Sequence, residues 1–87
     1  MSRQQKRMSR RFLANVEALA KAFDAALATE FATNSRRAQE ESMRAALDAG
    51  FLERVDADTM QFTDLLAELS ADDVVRRGIA ALRAGRQ

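Results

Sequence analysis

A small all-α bundle of three to four helices, opened by one long helix, is the fold this sequence predicts. Apolar residues recur at helical spacing over long stretches with no Pro among them, and short polar residues suited to helix capping fall between those stretches. The 87-residue length holds one small domain, which we divide into a basic arm, 1–11, and a helical domain, 12–87.

Residues 8–31 predict the long first helix. Phe12, Val16, Leu19, Phe23 and Ala26 step by four and three along one face, while Leu13, Ala20 and Leu27 widen the stripe. Thr33, Asn34 and Ser35 each offer a side-chain oxygen to cap a second helix, Arg36 to Ala49, with Ala38, Met43, Ala46 and Leu47 inward. Gly50 suits a left-handed helix end, and Phe51 behind it can fold back on the last turn. Between Phe51 and Asp64, Met60 and Phe62 alternate with polar residues as a short strand would. The turn lacks the Asn-Gly or Asp-Gly pair of a strong hairpin, so 52–63 reads either as a short β-hairpin or as an irregular loop with a helical turn. Thr63 or Asp64 can cap a short helix, Leu65 to Leu69. Ser70 and Asp73 resemble a capping box that opens a last helix, Ala71 to Ala84, with Val75, Ile79 and Leu82 inward and Val74 beside them. Gly78 lowers the helix propensity of that segment by about 1 kcal/mol relative to Ala.

Composition excludes several kinds of chemistry. With no Cys and no His there is no disulfide framework, no thiolate or imidazole metal site, and no catalytic triad or dyad built on those residues. The acidic pairs Glu40-Glu41 and Asp72-Asp73 point apart on a helix, and Asp56 and Asp58 lack the Gly and distal Glu of a calcium loop. We therefore expect no cofactor, no metal and no enzymatic activity. The apolar runs are too short for a transmembrane segment, and the basic start is not followed by the apolar stretch of a secretory signal. Twelve Arg against two Lys, with 18 Ala, match the usage of a GC-rich bacterial genome, and the cytoplasm is the expected location.

The net charge of +1 conceals an asymmetry. Arg3, Lys6, Arg7, Arg10 and Arg11 stand in an arm without acids, whereas the remainder carries nine bases and thirteen acids. Such an arm can contact the phosphates of a nucleic acid or an anionic membrane surface, or simply keep a helix end solvated. No aromatic residue interleaves with these arginines to stack on bases. A helix at 36–49 followed by a hairpin has the order of a winged helix, but Glu40, Glu41 and Asp48 on its outer face carry the wrong sign for DNA.

Gly50-Phe51-Leu52, an acidic linker, and the run from Asp58 to Leu69 resemble the extreme carboxy-terminal tail of the bacterial membrane-bound glycerol-3-phosphate acyltransferases. Phe23-Asp24 and Glu30-Phe31 are a looser echo of the same tail. The family's histidine–aspartate and glycine-rich acidic motifs do not occur here. The resemblance therefore implies a non-catalytic helical appendage linked to phospholipid synthesis, and no catalytic residue carries over.

A chain this short buries little surface per residue and has no covalent staple. The stripe on the first helix is wider than two short helices can cover. We therefore expect a binding or regulatory module that presents Phe12, Val16, Leu19, Phe23 and Leu27, as core or interface, to a second copy of itself or to a larger protein partner. A nucleic-acid binder acting through the arm is the alternative from a different class.

Overall fold

The computed structural model describes residues 9–32 and 35–85. Four helices and one hairpin follow in order: α1 (Arg10–Leu27), α2 (Arg36–Asp48), β1 (Leu52–Arg54), β2 (Met60–Phe62), α3 (Leu65–Glu68) and α4 (Ala71–Ala84). The predicted all-α class holds, and the open choice at 52–63 resolves to a hairpin.

Each long helix begins on a serine. The hydroxyls of Ser9, Ser35 and Ser70 accept hydrogen bonds from the backbone N–H groups of Phe12, Ala38 and Asp73, at 3.1, 3.2 and 3.2 Å. Each bond satisfies a donor that the first helical turn leaves without a partner.

Helix α1 stops short of the predicted Phe31, while the predicted start at Met8 lies outside the described residues. The N–H groups of Glu30 and Phe31 both converge on the Leu27 carbonyl, at 3.0 and 2.9 Å, and turn the chain there. That turn brings Phe31 against the core, with the Arg37 guanidinium 5.8 Å above its ring. Helix α2 closes as expected. Gly50 takes φ 86°, its N–H donates to Leu47, and the Phe51 N–H reaches the Ala46 carbonyl. This is a Schellman closure, and it places Phe51 wholly inside the core.

The hairpin pairs Leu52 with Phe62, Glu53 with Gln61 and Arg54 with Met60. Its turn uses an aspartate where Asn-Gly was missing. The Asp56 carboxylate accepts the Asp58 N–H at 2.9 Å, an Asx turn, and the bond holds the Asp56 carboxyl below its ordinary range. A lowered folded value means the bond stabilises the turn above the ordinary aspartate range and is lost as pH falls through the lowered value. Behind β2, Thr63 donates to the Gly50 carbonyl at 2.7 Å, and Asp64 takes the N-cap position of α3 without a side-chain capping bond.

Helix α4 is the centre of the packing. Both α1 and α2 lie against it, whereas α1 and α2 touch each other only sparingly. Its buried face is Val74, Gly78 and Leu82, not the predicted Val75 and Ile79, which are half-buried. Gly78 explains the rotation. A β-carbon there would collide with Leu19 Cδ1 and press on the Phe23 ring at 3.3 Å, so α1 reaches the α4 backbone only because that β-carbon is missing. On α2 the buried residues are Ala45 and Ala46, with Ala49 just beyond the helix. The predicted inward Met43 is 43% exposed, because it faces the side on which α1 and α2 diverge.

The helix C-termini are closed by side chains from other helices. The Asn15 amide of α1 donates to the carbonyls of Leu66 and Leu69, both at 2.8 Å, at the end of α3. Arg77 of α4 donates to the Ala49 carbonyl behind α2 at 3.3 Å and lies 5.9 Å over the Phe51 ring. In return, Arg44 of α2 donates to the Leu82 carbonyl of α4 at 3.4 Å while held by Glu41 and Asp48 at 2.8 and 2.9 Å. The Arg44 guanidinium fills the space where a Gly85 β-carbon would stand.

Helix propensity alone says that Gly78→Ala stabilises the protein by about 1 kcal/mol. Overpacking against Leu19 and Phe23 typically costs about 1–3 kcal/mol. We expect the clash to win, with a net loss of up to about 2 kcal/mol that lowers the thermal midpoint read by circular dichroism. Asn15→Leu keeps the branched shape but strands two carbonyls, and we expect a loss of about 1–3 kcal/mol in urea unfolding despite the added apolar surface.

Candidate functional site

The predicted interface stripe divides into two parts. Phe12, Leu19, Phe23 and Leu27 are buried at 3–7% exposure in the chain's own core, and Phe12 meets Phe62 edge-on at 5.9 Å. Val16 is half-buried, Leu13 is 54% exposed, and Ala20 and Ala26 are exposed. The buried arc of α1 is turned toward Asn15, which is 2% exposed and occupies a core position that an apolar residue would ordinarily hold. The turn leaves the Leu13, Val16, Ala20 flank of the stripe uncovered.

Val16 and Ala20 of that flank stand in one wall of a groove. Val16, Leu19, Ala20, Phe23 and Asp24 of α1 face Ala38, Gln39, Ser42, Met43 and Ala46 of α2 across a volume of about 310 Å³ open to solvent. Leu52 and Phe62, a directly paired couple of the hairpin, complete the lining. From Val16 to Asp24 the α1 wall runs about 12 Å at 1.5 Å per residue, the length of roughly two helical turns. The lining is predominantly apolar, and among the described residues Asp24 is its one charged side chain. Asp24 has no ion-pair partner among the described residues.

Such a trough can take apolar side chains spaced at i, i+3 or i+4, and i+7 on an amphipathic helix. Among the described residues that line it, no nucleophile is paired with a base. Among the described residues no three acidic side chains converge as metal ligands, and no helix is long and apolar enough to cross a membrane.

Of the basic arm, Arg3, Lys6 and Arg7 lie outside the described residues. Arg10 and Arg11 form the first turn of α1, where Arg10 is exposed and Arg11 donates to the Glu68 carbonyl at 3.4 Å. The structure therefore gathers no basic cluster from the residues it describes at this end. The residues that carry the acyltransferase-tail resemblance form the hairpin and α3, with Phe51 and Leu66 fully buried. No protein-family model, curated protein or solved structure matches the chain.

Sequence reasoning missed Asn15, Arg44 and Arg77. Asn15 carried a usable signal: at i+3 from Phe12 and i−4 from Leu19, it is an amide set inside an apolar helical stripe, which requires a buried partner. Arg44 carried a local signal in Glu41 and Asp48 at i−3 and i+4, but neither arginine signalled its carbonyl partner, 38 residues away for Arg44 and 28 for Arg77.

If the groove wall lies outside the core, its residues tolerate charge. We expect Met43→Glu to change stability by no more than about 0.5 kcal/mol. Phe23→Ala, in the same groove but rooted in the core, should cost about 3–5 kcal/mol, and chemical denaturation of the two variants checks the contrast.

Proposed function

We propose that this chain is a small non-catalytic protein-interaction module that accepts an apolar helix face in the groove between α1 and α2. The observation that carries the reading is the uncovered flank of α1. The core closes around Phe12, Leu19, Phe23 and Leu27, yet Val16 and Ala20 remain in the wall of a trough two helical turns long that an exposed Met43 also lines, and Leu13 stands exposed outside that lining. Filling it would withdraw the exposed 43% of Met43 from water, roughly half or less of the about 1.5–3 kcal/mol that full burial of such a side chain gives. Nothing in the lining suggests bond-making chemistry, so the gain is one of association. The composition fits a bacterial cytoplasmic protein in which such docking has a structural or regulatory purpose.

A photo-reactive benzophenone side chain placed in turn at Ala20, Met43 and Arg76 tests this. Arg76 sits exposed on α4, away from the groove lining. Irradiation in native host cells, followed by mass spectrometry, should give protein adducts at positions 20 and 43 that are absent at 76 and disappear when Val16→Glu is added to a still-folded chain. Equal adducts at all three positions, or none at 20 and 43, would refute the groove as a docking site.

A further inference from the structure

The exposed flank of α1 carries its charges in a particular order. Reading from the N-terminus, Arg10, Leu13, Glu17, Ala20 and Asp24 fall within an arc of about 80° at about 100° per residue. One end is basic, the other acidic, and an apolar and a small residue stand between. Glu17 is already neutralised by Lys21 at 2.9 Å, both side chains lying well in solvent. Arg10 and Asp24, by contrast, are exposed and have no ion-pair partner among the described residues. A pattern of this kind is complementary to its own reverse.

We propose that the occupant of this face is a second copy of the chain. Two α1 helices run antiparallel about a two-fold axis near Glu17, and Arg10 of each copy meets Asp24 of the other. The inference rests on the groove reading above and names its partner. In this register Leu13 of one copy sits over Ala20 of the other, where the small side chain lets the helices approach, and it enters the mouth of the groove beside Val16. The two Glu17 side chains meet at the axis as neutralised pairs with their own Lys21. A parallel arrangement would place Arg10 beside Arg10 and Asp24 beside Asp24, so the charges select the antiparallel one. A two-fold contact of this kind uses the same patch twice, as isologous dimers do. One helix face and the Met43 wall from each copy make a contact near the lower end of the roughly 1,000 Å² that a stable interface needs, so the dimer is weak and concentration-dependent.

Sedimentation equilibrium of the full chain over a thousandfold concentration range reads this directly. The wild type should pass from the 9.7 kDa monomer to twice that mass. Arg10→Asp and Asp24→Arg each set like charges against each other at both symmetric contacts, and each should weaken the dimer by about tenfold or more. Combined in one chain they restore opposite charges in reversed order, and the dissociation constant should return to within about threefold of wild type. Both substitutions favour the helix dipole, an acid in the first turn and a base near the last, so the fold is retained and circular dichroism confirms it. A wild type that stays monomeric throughout, or a double variant no better than the single ones, overturns the proposal. If the monomer nonetheless gives groove-specific adducts with another protein, the second copy is excluded while the groove reading stands. If it gives none, both fall.

Discussion

Helix ends leave backbone carbonyls without partners, and in this protein three of those ends are closed from outside. Asn15 reaches from α1 to the end of α3, Arg77 from α4 to the residue behind α2, and Arg44 from α2 to the last turn of α4. A chain with no disulfide and a modest number of large apolar side chains gains orientation from these bonds as well as stability. Each bond fixes the rotation of one helix about its axis relative to another, which apolar packing alone specifies loosely. The Asn15 bonds matter most, because satisfying that amide inside the core decides which arc of α1 faces inward.

The groove follows from the same constraint. With α1 turned toward Asn15, its closest approach is to α4 at Gly78, and α2 meets α4 through alanines. The two helices that flank α4 then diverge from each other. The gap between them is lined with what remains of the apolar stripes, Val16 and Ala20 on one side and Met43 on the other. The docking surface and the core are thus two outcomes of one rotation, and the groove is lined by rigid helices and a paired strand couple rather than by loops.

How much of this was legible in the sequence depended on whether the determinant was local. The Ser70 cap, the Gly50–Phe51 closure and the α4 boundaries rest on residues within a turn of one another, and periodicity with capping chemistry located them; Ser35 stood among three candidates for its cap, and the Ser9 cap was not foreseen. The hairpin stayed open because its turn relies on an aspartate side chain, a weaker signal than a glycine. The inward face of α4 was misplaced because Gly78 counts as a defect in helix propensity, whereas in the fold it is the point of closest helix approach. For the site, the stripe on α1 was visible, but its division into core and open flank was not. That division depends on bonds between Asn15 and carbonyls 51 and 54 residues away.

The exchange between α2 and α4 has a consequence for how the molecule comes apart. Each of these helices lends an arginine to the other's C-terminus, so unwinding that runs back as far as the donor, Arg44 or Arg77, uncaps the neighbour. Peripheral turns, ordinarily the loosest parts of a small bundle, are here locked in pairs. Heat that opens one rod as far as its arginine therefore loosens the far end of the other, and the two open as one unit beyond that point.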